Sequence, residues 1–298
     1  MNFWHKYKNG NCEIMINTFD GTRIIDTGED AEVNLDFPLS MDISIGRRCD
    51  GRCQYCYENA TPDGPEADLL NIPFLETLKP FTEVAINGNS VNHPQLIPFL
   101  EKLKQKQIIA NMTVNQIHFE QKQNIIDRLL KEKLIYGLGI SLRNATPEFT
   151  AKIAEYPTAV IHVINGIFTQ KDVDVLGGNN LKLLILGYKM KGRGDDYYYS
   201  NRFQIRDNQR WLEDNVLSLT EKFQVVSFDN LALAQLNIKD KMTPEKWDTF
   251  YQGDDGQLSM YIDLVSGTFG KSSLEPKENM MPLLGSIEEM FAEVKRNG

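Results

Sequence analysis

Cys49, Cys53 and Cys56 lie in the run Arg48-Cys-Asp-Gly-Arg-Cys-Gln-Tyr-Cys-Tyr57, a C-x3-C-x2-C pattern with an aromatic directly before the last cysteine. Three thiolates this close can ligate three irons of a 4Fe-4S cubane and leave the fourth iron open to another ligand. A zinc knuckle fits less well, because structural zinc takes four ligands, usually as two separated pairs. One further cysteine exists, Cys12, and His93, His118 and His162 are scattered along the chain. A disulfide framework also fits poorly. The start, Met1–Gly10, has no apolar stretch of the kind a secretion signal needs, so a reduced, cytoplasmic protein is expected.

The cysteine run resembles the cluster loop of the radical S-adenosylmethionine (radical SAM) enzymes. The resemblance implies that the open iron chelates the amino and carboxylate groups of SAM. Electron transfer then releases a 5′-deoxyadenosyl radical, which takes a hydrogen atom from substrate. It places Tyr55 against the adenine and implies a flavodoxin- or ferredoxin-type electron donor. Ile86-Asn87-Gly88-Asn89-Ser90-Val91-Asn92-His93-Pro94 resembles the family's Gly-Gly-Glu-Pro segment with its later His-Pro. Asn87 replaces the first glycine and Asn89 the glutamate, so ammonium binding should lean on backbone groups, with Gly88 allowing close approach. In Gly139-Ile-Ser141-Leu-Arg143, Ser141 matches the family's Ser-x-Asp, a contact to ribose or carboxylate. Arg143 replaces the acid and could pair with a carboxylate. Asn165 stands where an Asn commonly faces the ribose. Leu186 and Tyr188 stand where adenine contacts are made. Each segment also reads as an ordinary strand end.

These residues need a scaffold that brings distant strand ends together. Short apolar runs predict strands over Leu39–Ile45, Glu83–Ile86, Ile108–Val114, Ile135–Ser141, Ala159–Ile164 and Leu181–Leu186, alternating with amphipathic helical stretches such as Pro94–Lys106 and His118–Lys131. Six strand-then-helix units imply a parallel sheet. With the resemblance, they imply an α/β fold built on a partial (β/α)6 TIM-like barrel. Sites in such sheets form at the carboxyl ends of strands, and the cysteine loop follows the first predicted strand. An N-terminal β-hairpin is expected over 11–26, turning at Asp20-Gly21. A small C-terminal α+β extension is expected to contain a helix over Arg206–Phe223, a strand over Ser259–Val265 and a closing helix over Ile287–Lys295. The expected divisions are 1–38, 39–190 and 191–298.

Composition narrows the partners. The chain has 298 residues, 41% hydrophobic and 24% charged, with net charge −9. Such an acidic chain is a poor non-specific binder of nucleic acid. No apolar run approaches membrane-spanning length. Two basic clusters, Arg47-Arg48 with Arg52, and Lys189, Lys191 and Arg193, read either as solvated loops or as a cradle for anionic groups. The second follows the last predicted strand and is expected to meet substrate. The tail lacks cysteines for a second cluster, although Ser259–Ser272 resembles the strand–turn–strand opening seen in peptide-modifying members. A peptide or protein side chain is therefore the first expected substrate. The alternatives are a small metabolite or nucleotide, and a non-catalytic binding protein that keeps the cluster loop. Cys12 reads as a small buried hydrophobe, or as a hydrogen donor to the substrate radical if the hairpin covers the barrel mouth.

Overall fold

The computed structural model describes residues 3–19, 21–28, 32–87 and 90–297. Strands β1 (Trp4–Asn9), β2 (Cys12–Asn17) and β3 (Arg23–Asp26) form a small antiparallel sheet. The expected hairpin is its β2–β3 half, with Asp20 outside the described residues. The sequence reading missed β1, whose link to β2 is the pair Gly10-Asn11. Gly10 has φ 59°, and a Cβ there would fall 1.9 Å from the Asn34 carbonyl oxygen, so this turn needs glycine.

A second sheet of ten strands holds the core. Strands β4 (Ser40–Ser44), β5 (Glu83–Asn87), β6 (Ile109–Asn115), β7 (Gly137–Ser141), β8 (Ala159–Ile164) and β9 (Lys182–Leu186) run parallel in sequence order. These are the six expected strands. The chain after residue 190 adds to both edges: β10 (Val225–Phe228) beside β9, and β11 (Ser259–Asp263) parallel to β4. Strands β12 (Thr268–Gly270) and β13 (Met281–Pro282) continue antiparallel from β11.

The helices are α1 (Leu96–Gln105), α2 (Gln116–Gln121), α3 (Gln123–Lys131), α4 (Pro147–Ile153), α5 (Gln170–Leu176), α6 (Arg193–Asn215), α7 (Asn230–Gln235), α8 (Pro244–Phe250) and α9 (Ile287–Arg296). Pro147 opens α4, where its missing N–H costs nothing, and Thr146 caps the turn. The single helix expected over His118–Lys131 is two. Asn115 caps α2 early, and Lys122 leaves helical geometry between them. α6 starts thirteen positions before the expected Arg206. Its first half is rich in Tyr, Asp, Ser and Asn, so it carries little apolar periodicity to read.

Alternation within the strands explains the layering. Val84, Ile86, Met112, Val114, Leu138, Ile140, Ile161, Val163, Leu183 and Ile185 are buried together with Phe99, Leu103, Ile126, Phe149 and Leu176 of the helices. Each such side chain contributes roughly 1.5–3 kcal/mol. The intervening positions, Asn87, Asn111, Thr113, Asn115, Ser141 and His162, give the other face a polar character. Two sets of contacts join opposite ends of the sheet. Asn230, after β10, donates to Gly253 O (3.2 Å) and Asp255 Oδ1 (2.8 Å), just before β11. Lys189, after β9, donates to Ser273 Oγ at 2.8 Å and lies 4.2 Å from the ring of Tyr57, after β4. The sheet therefore curves round on its polar face.

The small sheet packs at the amino-terminal edge. Arg23 pairs with Glu83, the first residue of β5, at 2.5 Å and reaches Leu39 O, while His5 stacks on Phe81 at 4.4 Å. Cys12 is buried there (1% exposed), with its Sγ 3.2 Å from Asn11 Oδ1. A five-residue strand separates the two edges by roughly 16 Å. The small sheet thus sits at the amino-terminal side of the strands, and Cys12 is buried within it.

Candidate metal and cofactor site

The cysteine loop leaves the carboxyl end of β4 and is tied back on itself. Cys49 N donates to Thr61 O (2.7 Å) and Thr61 N to Arg47 O (3.0 Å). Arg47 pairs with Glu58 at 3.1 Å and with Asp263 at the end of β11, and Arg48 pairs with Glu66 at 3.4 Å. Two of the three arginines read as a possible anion cradle are thus committed to carboxylates. Arg52 is exposed, with φ 49°.

Neighbouring strand ends hold the loop from outside. Arg143, after β7, donates from Nη1 to Gly51 O at 2.7 Å. Asn115, ending β6, accepts from Ile117 N at its Oδ1 (3.0 Å), capping α2, and donates from Nδ2 to Cys53 Sγ at 3.5 Å. Asp50 is hydrogen-bonded to the buried His118 of α2, which draws its carboxyl below the usual range. At the start of α6, Arg193 N donates to Cys56 O (3.1 Å), its Nε to Cys53 O (3.2 Å) and its Nη2 to Ala60 O (2.9 Å).

The three thiols are free and partly exposed. Burial pushes Cys49 and Cys53 up, and nearby Arg143 partly offsets this at Cys53, so metal binding there must release protons. Three unpaired thiols on a short loop, backbone-braced at a sheet's carboxyl edge, fit three ligands of an iron–sulfur cubane. Two strand ends near them carry acceptors without donors: Asn87 Oδ1, at the end of β5 on the polar face, and Asn165 Oδ1, just after β8, are buried and accept no hydrogen bond among the described residues. Asn165 is fully buried and donates from Nδ2 to Gln235 Oε1 of α7 at 3.0 Å. Such orphaned oxygens are costly unless a ligand donates to them, and a SAM ammonium or ribose hydroxyl would do so.

The other residues singled out in the sequence separate into two groups. Asn115, Ser141, His162 and Leu184 form one cross-strand row over β6–β9, so Ser141 sits on the polar face near the loop. Tyr55 meets Tyr197 of α6 edge to face at 5.7 Å. Gly88 and Asn89 lie outside the described residues. Leu186 O already accepts from Asn165 N (2.8 Å). Both backbone groups of Tyr188 are bonded to the Gln235 side chain, at 2.8 and 3.0 Å, and its hydroxyl donates to buried Gly194 O. Tyr188 N is thus used up, and Tyr188 O keeps one acceptor site. Arg143 supports the loop carbonyl described above. Lys189 and Lys191 donate to Ser273 Oγ and O, and Arg193 to the cysteine loop. The basic segment after β9 is an internal brace rather than a free anion-binding edge.

Sequence reasoning missed Asn115, the Asp50–His118 pair and the clamp of Arg193. A polar residue ending a strand was read at four strands, and the same signal at Val114-Asn115 would have found Asn115. Arg193 carries no such signal, since its partners lie more than 130 positions away. Asp42, two residues before Ser44, also escaped notice. Its carboxylate is exposed on the polar face, with the Lys189 charge nearby.

His162 lies flat against Gly139, where a Cβ would fall 2.5 Å from the ring. Burial pushes its pKa down to about 4. The folded state holds the neutral ring, so the unfolded chain gains a proton first as pH falls below about 6.5. Stability should fall between pH 6.5 and 4 by roughly 2 kcal/mol from this group, allowing for its partial exposure. His162→Gln should flatten that part of the urea-unfolding profile. An unchanged slope would show that the imidazole is not held neutral.

The fold has solved counterparts. The structure of SuiB from Streptococcus suis bound to S-adenosylmethionine aligns with a TM-score of 0.64, covering 95% of this chain and 85% of that one at 12% identity. SuiB bound to its precursor peptide SuiA aligns with a TM-score of 0.56, covering 90% and 82% at 12% identity. At this identity the likeness is one of fold. No family model matches the chain, and no curated protein matches it in sequence.

Proposed function

We propose that this chain is a radical SAM enzyme acting on a peptide or protein side chain, with a partial (β/α)6 barrel at its centre. The observation that carries the reading is the free C-x3-C-x2-C thiol loop, clamped at the carboxyl edge of a curved parallel sheet. Cys49, Cys53 and Cys56 would hold a 4Fe-4S cluster. Asn87, Ser141, Asn165 and Tyr55 would hold SAM. When bound, the two together supply a 5′-deoxyadenosyl radical for hydrogen-atom abstraction. The chain's own contribution is positional. Arg143, Arg193 and Asn115 fix the loop, and the orphaned Asn87 and Asn165 oxygens would accept hydrogen bonds from the cofactor. Tyr55 and Tyr197 wall one side against water. The peptide assignment draws support from the fold shared with SuiB, which binds S-adenosylmethionine and a precursor peptide. A flavodoxin- or ferredoxin-type donor and a cytoplasmic setting go with this reading. No described helix is long and apolar enough to cross a membrane.

The test is anaerobic incubation of reconstituted, reduced protein with SAM, scored for 5′-deoxyadenosine by chromatography. Slow formation is expected without substrate. Asn165→Ala and Ser141→Ala should each weaken SAM binding by about 1 kcal/mol, one hydrogen bond's worth. A protein that takes up iron and sulfide yet forms no 5′-deoxyadenosine would favour the binding-protein alternative.

A further inference from the structure

We infer that the outer face of α6 is a docking surface for an acidic peptide segment carrying an aromatic or large apolar side chain. The inference rests on the peptide reading above and names where such a substrate is gripped outside the cofactor site.

α6 follows β9 and starts against the cysteine loop, through Arg193 N to Cys56 O and the Tyr55–Tyr197 ring contact. Aromatic contacts continue outward. Tyr198 packs on Tyr188 at 5.8 Å and on Tyr199, edge to face, at 5.9 Å. Beyond them two large side chains stand in solvent, Tyr199 at 65% and Phe203 at 73% exposed. After the helix breaks at Asn201 (φ −125°, ψ 19°), Phe203, Arg206 and Arg210 form one stripe at helical spacing, with Arg202 beside it; Tyr199 stands on the turn before the break. Isolated exposed apolar residues are ordinary, but this pair adjoins a cationic row.

The charge on this face selects the occupant. Between Tyr199 and Arg210 the helix carries Arg202, Arg206 and Arg210 against one acid, Asp207, in a chain of net charge −9. All three arginines are exposed. The Arg202 guanidinium lies 4.9 Å from the Phe203 ring, and Arg206 Nε donates to Tyr198 Oη at 3.0 Å. These contacts hold two of the planar groups near the rings, while Arg210 lies 4.0 Å from Asp207, an exposed pair that an acidic peptide would have to compete with. Aromatic and arginine side chains together are the composition that dominates peptide-binding hot spots. From Arg202 to Arg210 the helix spans about 12 Å, room for about four residues of extended chain. A peptide lying along it would run to the cysteine loop at one end.

Fluorescence anisotropy with the reconstituted holoprotein tests this. The probe is a fluorescein-labelled peptide of sequence Gly-Glu-Glu-Phe-Leu-Glu-Glu-Gly, with a lysine-for-glutamate counterpart. Saturable binding of the acidic peptide is expected, weakening as salt rises, with little binding of the basic one. The triple change Arg202→Glu, Arg206→Glu and Arg210→Glu should weaken it at least tenfold, and Tyr199→Ala with Phe203→Ala severalfold. Substrate-free 5′-deoxyadenosine formation should stay unchanged in all of these, which also shows that they fold. No binding by the wild-type protein, equal binding of the basic peptide, or binding untouched by the variants would overturn the inference. So would sedimentation showing a dimer that Phe203→Ala dissolves, since the occupant would then be a second copy. If peptide binding behaves as expected but no 5′-deoxyadenosine forms, the enzyme reading fails and the docking surface stands.

Discussion

Anaerobic reconstitution should load about four iron and four sulfide per chain, and replacing Cys49, Cys53 and Cys56 together with alanine should abolish both the iron and its visible absorbance. This is the largest effect anticipated, because the loop has no substitute ligand. Asp50 and His118 are close to Cys49, but they are already bonded to each other. Hard carboxylate and imidazole groups also match a cubane's iron less well than thiolate. Cys12→Ala serves as the control. Its Sγ is buried at the opposite edge of the sheet, so cluster content should be unaffected while stability falls by about 1 kcal/mol. Stoichiometric zinc without iron uptake would sink the cluster assignment.

Arg193→Ala should cause the second-largest loss. Its guanidinium donates to Cys53 O and Ala60 O. Removing it leaves two carbonyls of the loop without their charged donor. Bonds to a charged group contribute about 1.5–3 kcal/mol each, so a loss of about 3 kcal/mol is expected. The change should appear as a lower Tm, reduced iron retention during desalting, and equal falls in substrate-free SAM cleavage and peptide turnover. That parallel loss separates a brace from a substrate-binding residue, which would spare the uncoupled reaction. Arg193→Lys should recover part of the stability, because an ammonium can follow one carbonyl but lacks the fork that spans both. Native iron content and Tm in Arg193→Ala would refute the role.

The thiol loop and its place after the first parallel strand were legible because their signal is local. Three thiols within eight residues have few uses, and the order of side chains alone shows their spacing. The six parallel strands were legible for a related reason. A strand buried on one face repeats every two residues, and a packed helix every three to four. Ala159–Ile164 was delimited to the residue, and the others to within two positions at either end.

What escaped the sequence depends on partners far along the chain. β1 (Trp4-His-Lys-Tyr-Lys-Asn9) is mostly polar or aromatic and so shows no apolar run, and β10 is four residues long and is a strand because β9 offers it hydrogen bonds. β11 reads as a strand, but nothing local says that it docks beside β4. The Lys189–Arg193 segment shows five residues with three cations and so reads as an exposed edge. Curvature of the sheet brings it against Ser273, Tyr57 and the Cys53 carbonyl, and its charges turn inward. Cys12 posed the same problem in reverse. Its burial was readable from alternation with Ile14 and Ile16, but the edge of the sheet on which the hairpin would land was not. That choice is made by the Arg23–Glu83 pair and the Asn9 bonds to the Phe37 backbone. Periodicity reports which face of an element is covered. Which distant element covers it is a property of the folded chain, where long-range pairing and charge compensation select one arrangement among many with the same local pattern.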